Sequence, residues 1–167
     1  MSTTTGSDQP VDEVLFIPGQ WNIPYNYSAG KVASRFFLSL KKEGKIFGTT
    51  CPTCKRTLVP PRSFCERCFV HCEGWQEVGP EGTVVTFTIC FRKSPGIEIP
   101  PPFMIALIRL DGADTNLIHL VEGCDLGSPE RLLERVRSGL RVRAVFRAGD
   151  DRKGNIMDIR SFGALNA

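Results

Sequence analysis

The stretch CPTCKRTLVPPRSFCERC, residues 51–68, carries two CxxC pairs ten residues apart. A CxxC loop is short enough to turn both of its sulfurs toward one point. Two such loops facing each other offer four thiolates in a tetrahedron. The spacing predicts one structural Zn²⁺ held by Cys51, Cys54, Cys65 and Cys68. Tetrahedral sulfur also suits iron, which leaves an iron site as the rival. His71 and Cys72 follow directly and are alternative ligands, but the four-sulfur set is complete without them. Seven cysteines, an odd number, and no apolar leader argue against a disulfide framework, so a reducing cytoplasmic setting is expected. A four-cysteine site keeps no position open for water or substrate. The metal is therefore read as a clamp, with the function elsewhere. Such knuckle turns favour glycine after the second cysteine, where φ turns positive; Lys55 and Phe69 stand there, so strain is expected.

The rest of the chain must supply the core. With 167 residues, 41% of them hydrophobic, it holds one ordinary domain and a small satellite. No apolar run approaches the roughly 20 residues that cross a bilayer, so no membrane partner is expected. A net charge of +3 does not by itself indicate a nucleic-acid or membrane binder. The charge is uneven, however: RLLERVRSGLRVRAVFR, 131–147, holds six arginines and one glutamate. It reads either as a solvated face or as a surface for phosphates, with Arg141 and Arg143 as candidate contacts to CoA.

Residues 1–12 are small and polar and read as disordered. With 13–27 they form an extended N-terminal arm, 1–27, whose prolines oppose a helix. Trp21, Tyr25 and Tyr27 are costly to leave in water, so the arm lies along a surface, its own or a partner's. A helix follows over 28–44, capped by Ser28, stopped by Gly44, with Val32, Phe36 and Leu40 at i, i+4 and i+8. Residues 45–78 form a zinc ribbon with almost no core of its own, in which Pro60 and Pro61 exclude a central strand. From 79 to 167 the pattern changes. Strands are predicted at 82–93, 103–110 and 115–123, a short helix at 128–139, and strands at 140–148 and 155–162. Three strands, a helix and two strands is the order of an OB-fold barrel. The fold class is thus mainly β: one helix, a rubredoxin-like ribbon and a C-terminal OB-fold.

Catalytic candidates are few. His119, in LIHLV, reads as a satisfied structural histidine, and Cys90, in TFTICF, as a small buried hydrophobe. Cys124 precedes a predicted helix start, where a thiolate gains stabilisation, but no histidine is near in sequence to serve as its base. No serine motif, phosphate loop or dinucleotide fingerprint is present. The loop 92–103 carries Pro100, Pro101 and Pro102, a stiff apolar run that docks at low entropic cost or serves as a plain connector. Ribbons and OB-folds also bind single-stranded nucleic acid, which is the alternative function. That class needs exposed aromatics in a basic groove, whereas the phenylalanines of the barrel strands fit core positions.

The order helix, GTTCPTCKRTLVPPRSFCERC, GTVVTFTIC, PPFMIALIRLDG and LRVRAVFR resembles the acyl-CoA-associated proteins that couple a rubredoxin-like zinc ribbon to an OB-fold. The resemblance spans about residues 25–165, and the PPR before the second CxxC is its most specific mark. It implies a non-catalytic companion subunit of a thiolase-fold enzyme, the partner supplying the catalytic cysteine and histidines. It also implies an acyl-CoA, in degradation of an aromatic or related acid, as the ligand of the hetero-oligomer. Some members accompany enoyl-CoA hydratases or thiolase-like aldolases. Partner contacts are expected at Trp21, Tyr25 and Tyr27 and at Pro100–Pro102.

Overall fold

The computed structural model describes residues 16–21, 23–93, 99–126 and 138–165. The disorder expected over 1–12 and the short helix expected over 128–139 fall outside these residues, apart from Ser138 and Gly139.

Helix α1 spans Gly30–Glu43. It begins two residues later than expected: Ala29 is the N-cap, and Ser28 Oγ accepts from the Gly30 N–H at 3.2 Å without closing a side-chain cap. Gly44 stops the helix as predicted, at φ 64°, its N–H donating to the Leu40 carbonyl. The ribbon sheet has β1 (Ile46–Thr50) between β2 (Thr57–Leu58) and β5 (Gly74–Val78), all antiparallel. A small hairpin of β3 (Phe64–Cys65) and β4 (Val70–His71) carries the second CxxC. Strand β2 ends immediately before Val59, Pro60 and Pro61, since proline has no N–H to extend a ladder.

Five strands then close a barrel: β6 (Glu81–Cys90), β7 (Phe103–Leu110), β8 (Leu117–Glu122), β9 (Arg141–Phe146) and β10 (Ile159–Ala164), in the order β10-β8-β7-β6-β9. Neighbours are antiparallel except β8 and β10, which run parallel, and β9 pairs back onto β6. This is OB-fold connectivity. Closure bends β6 at its start. At Gly82, which pairs with both Leu110 and Val142, a Cβ would lie 2.6 Å from the Arg109 carbonyl oxygen. A bulge between Val84 and Thr86 adds twist, as barrel strands require.

Phe36 and Leu40 of α1, Ile46, Val59 and Val78 of the ribbon base, and Val84, Met104, Ile108, Val142, Ile159 and Phe162 of the barrel form one buried cluster. Helix, ribbon base and barrel therefore share a core, and among the described residues only the metal end of the ribbon has a separate one. Phe162 is the largest side chain fully enclosed in it. Phe162→Ala is expected to lower unfolding free energy by about 3–5 kcal/mol. Urea unfolding followed by far-UV circular dichroism checks this, and an unchanged midpoint would show that the barrel centre is not where the stability resides.

The last strand differs from expectation. Residues Ile156–Asp158 form a 3-10 turn, and the strand starts only at Ile159. Local polar groups win over the alternating pattern. Asn155 Oδ1 accepts from the Met157 N–H at 2.8 Å, and the buried Asp158 carboxylate accepts from the N–H groups of Lys153 and Gly154, both at 2.7 Å.

Candidate metal centre and flanking surfaces

The first knuckle leaves the end of β1 and the second lies between β3 and β4. In each, the residue after the second cysteine folds back: the Lys55 N–H donates to the Cys51 carbonyl at 3.0 Å, and the Phe69 N–H to the Cys65 carbonyl at 2.9 Å. That closure puts Lys55 at φ 61° and Phe69 at φ 55°, the left-handed values expected at these non-glycine positions. The strain costs about 1–2 kcal/mol each.

The four sulfurs of Cys51, Cys54, Cys65 and Cys68 all lie within 4.8 Å of one another. Zn–S bonds of about 2.3 Å place tetrahedral sulfurs about 3.8 Å apart, and Cys54 Sγ lies 3.8 Å from Cys65 Sγ. The donor set therefore fits a tetrahedral thiophilic metal. As thiols, Cys51 and Cys68 are driven in opposite directions. Burial raises Cys51, but hydrogen bonds from the N–H groups of Cys54 and Thr53 outweigh it and bring it down to about 6. Hydrogen bonding to the Cys54 sulfur, then burial, pushes Cys68 up to about 12. A divalent cation resolves this conflict, because all four then bind as thiolates. Cys72 packs against the site but is no ligand; its N–H donates to the Ser63 carbonyl, and burial raises its thiol. His71 is exposed, its Nδ1 3.2 Å from the same carbonyl.

Sequence reasoning missed the supports of this centre. Arg56, whose side chain is 14% exposed, pairs with Glu66 at 3.0 Å, and the charges of Cys54 and Cys65 raise its pKa further. A tetrathiolate around a divalent cation carries two net negative charges, and Arg56 offsets part of them. The turn DGAD, 111–114, and Thr115 after it also grip the ribbon. Asp114 Oδ2 accepts from the Thr57 N–H at 2.8 Å, and its N–H donates to the Thr57 carbonyl at 2.8 Å. The Thr115 hydroxyl bonds both the N–H and the carbonyl of Val59, at 2.7 and 2.9 Å.

The other predicted sites are scattered. The arm aromatics Trp21, Tyr25 and Tyr27 are 88%, 77% and 80% exposed, and Phe16 and Ile17 more so. Pro100 and Pro102 are exposed and Pro101 is half-buried, whereas residues 94–98 of that loop lie outside the described set. Arg141 is held in a fork by Asp111, at 2.6 and 2.8 Å, and reaches Glu81 at 3.3 Å; Arg143 meets Glu81 at 3.0 Å. The hydrogen bond from Arg141 holds the Asp111 carboxyl below its usual range. Both guanidiniums are thus engaged by carboxylates at the barrel surface. Cys90 is half-buried, not enclosed as expected. Burial raises the Cys124 thiol, which opposes a reactive role.

His119 is buried, edge-on to Phe162, with Nε2 3.3 Å from the Ile156 carbonyl. It is less satisfied than expected, because Nδ1 has no partner among the described residues. Burial lowers its pKa from 6.5, against the smaller raising effect of the hydrogen bond to the Ile156 backbone. Below about pH 6.5 the unfolded chain therefore binds the proton first. Stability is full above that pH and falls as pH drops, by at most about 1.4 kcal/mol per unit. Urea midpoints at pH 7.5 and 5.5 should differ in the parent and much less in His119→Phe; equal shifts in both would assign the loss to other groups.

Residues 39–72 match the family described as "ChsH2, rubredoxin-like zinc ribbon domain". Residues 75–147 match "ChsH2, C-terminal OB-fold domain". Among solved structures, a DUF35-family protein of unknown function from Sulfolobus solfataricus is 32% identical, with a TM-score of 0.55 over 70% of this chain and 78% of that one. A chain of the Ltp2-ChsH2(DUF35) aldolase is 20% identical, with a TM-score of 0.53 over 75% of this chain and 92% of that one, a likeness of fold. No curated protein matches significantly. Among the described residues, no helix is long and apolar enough to cross a membrane.

Proposed function

Since the chain belongs to the DUF35 family, with a ChsH2-type zinc ribbon and OB-fold, we propose that it is a non-catalytic accessory subunit of a thiolase-fold enzyme acting on an acyl-CoA. The observation that carries this reading is the arm. Phe16, Ile17, Trp21, Ile23, Tyr25 and Tyr27 are each at least 63% exposed within twelve residues. Uncovered apolar surface of that density, rich in Trp and Tyr, is what a protein interface uses. The arm and the Pro100–Pro102 run are the contacts to the partner. Zn²⁺ at Cys51, Cys54, Cys65 and Cys68 supplies folding energy and holds the ribbon against the DGADT turn. The catalytic cysteine and histidines belong to the partner. The substrate is the CoA thioester of an aromatic or related acid, with a benzoylsuccinyl-CoA thiolase as the specific candidate.

A second reading keeps the same role but changes the partner's reaction. A chain of similar fold belongs to the Ltp2-ChsH2(DUF35) aldolase, so the partner here is then a carbon–carbon lyase that does not consume free CoA. An assay on the complex separates the two. Cleavage of a 3-oxoacyl-CoA that requires added CoA identifies a thiolase; CoA-independent release of an aldehyde or ketone identifies an aldolase. Cleavage by the isolated chain would overturn both.

A further inference from the structure

Helix α1 carries a stripe of exposed positive charge, whereas the described arginines of the barrel strands are engaged. Arg141, Arg143 and Arg160 are engaged by carboxylates, and Arg147 donates to the Met157 carbonyl. By contrast Lys31, Arg35 and Lys42 are exposed and pair with no carboxylate among the described residues. They fall at i, i+4 and i+11, so they form one stripe, opposite the face that buries Phe36 and Leu40. Leu38, at i+7, lies in the middle of that stripe and is 47% exposed. The same four residues line a groove of about 420 Å³, together with Phe47 and one carboxylate, Glu43, so three cations there outnumber one anion. Arg35 is held in place, its guanidinium 4.3 Å above the Trp75 ring.

We propose that this groove docks an acidic amphipathic segment of a protein partner, its carboxylates on Lys31, Arg35 and Lys42 and an apolar side chain on Leu38. Charge decides the sign of the occupant and Leu38 its class. A phosphate chain gains nothing from an exposed leucine at the centre of its site, whereas an amphipathic helix laid in a groove uses both. A second copy is disfavoured, because a two-fold contact sets this positive stripe against itself. The surface is separate from the arm and does not depend on the identity of the partner enzyme.

The test is an amide NMR titration of the full-length, zinc-loaded chain with a synthetic helical peptide bearing glutamates at i and i+4 around leucines. Parallel titrations use oligo-dT and inorganic phosphate. The peptide is expected to shift amides of residues 31–43 and the Trp75 indole while leaving those of 141–146 in place. Binding should weaken on the order of tenfold or more in Lys31→Glu/Arg35→Glu/Lys42→Glu, and also as salt is raised. If that variant misfolds, Lys31→Gln/Lys42→Gln should show a smaller loss with an unchanged melting temperature. Shifts spread over the barrel, no shifts, or affinity untouched by these variants would overturn the proposal. Tighter α1 binding by oligo-dT or phosphate would overturn it in favour of a phosphate ligand.

Discussion

Cys51→Ser is expected to lose the metal and, with it, the order of the ribbon. Cys51 is fully buried at the join of the first knuckle and the end of β1. The second hydrophobic cluster consists only of Leu58 and the cysteines around it, with Val70 packed against them. Without the metal that cluster buries too little to offset the entropy of the surrounding loops. Structural zinc contributes on the order of 10 kcal/mol in small fingers, more than most single side-chain changes. The loss should stay regional. Hydrogen exchange is expected to show loss of protection across 46–58 and 64–78, with β6, β7 and β8 still protected. The barrel should nevertheless be weakened, because Ile46, Val59 and Val78 belong to its core. One bound zinc and parent-like protection in the variant would remove Cys51 from the ligand set.

Trp21→Ala/Tyr25→Ala/Tyr27→Ala is expected to abolish assembly with the partner while leaving the isolated chain unchanged. These rings touch little in the free protein: Tyr25 and Tyr27 lie 6.1 Å apart between centroids, and all three are at least 77% exposed. Their removal therefore takes nothing from the core. In an interface, buried Trp and Tyr anchors cost about 2 kcal/mol or more each, roughly thirtyfold in affinity per residue. Analytical ultracentrifugation of the mixed subunits should show the parent in complex and the variant free, at equal melting temperature. A variant that assembles normally would place the interface elsewhere; one that melts early would show that the arm packs on its own chain.

The metal ligands were legible because chelation is a rule of spacing: two CxxC pairs imply four converging sulfurs whatever surrounds them. The same rule located the left-handed backbone at Lys55 and Phe69. The barrel was legible from strand order, since β-branched runs grouped as three strands and then two leave few topologies. Long-range polar commitments were not. Nothing local to Arg141 says that Asp111, thirty residues earlier, takes its fork, so a run of arginines read as a possible phosphate surface. Nor does DGADT announce that Asp114 and Thr115 grip residues 57 and 59. At Asn155–Asp158 the alternation of apolar residues was present, but side-chain caps outcompeted it.

The most direct test of the accessory-subunit account is native mass spectrometry on protein gently purified from its own cells. The account predicts a complex containing this chain, one zinc per copy and a thiolase-fold subunit. The chain recovered alone at native concentration, with no such partner, would contradict it.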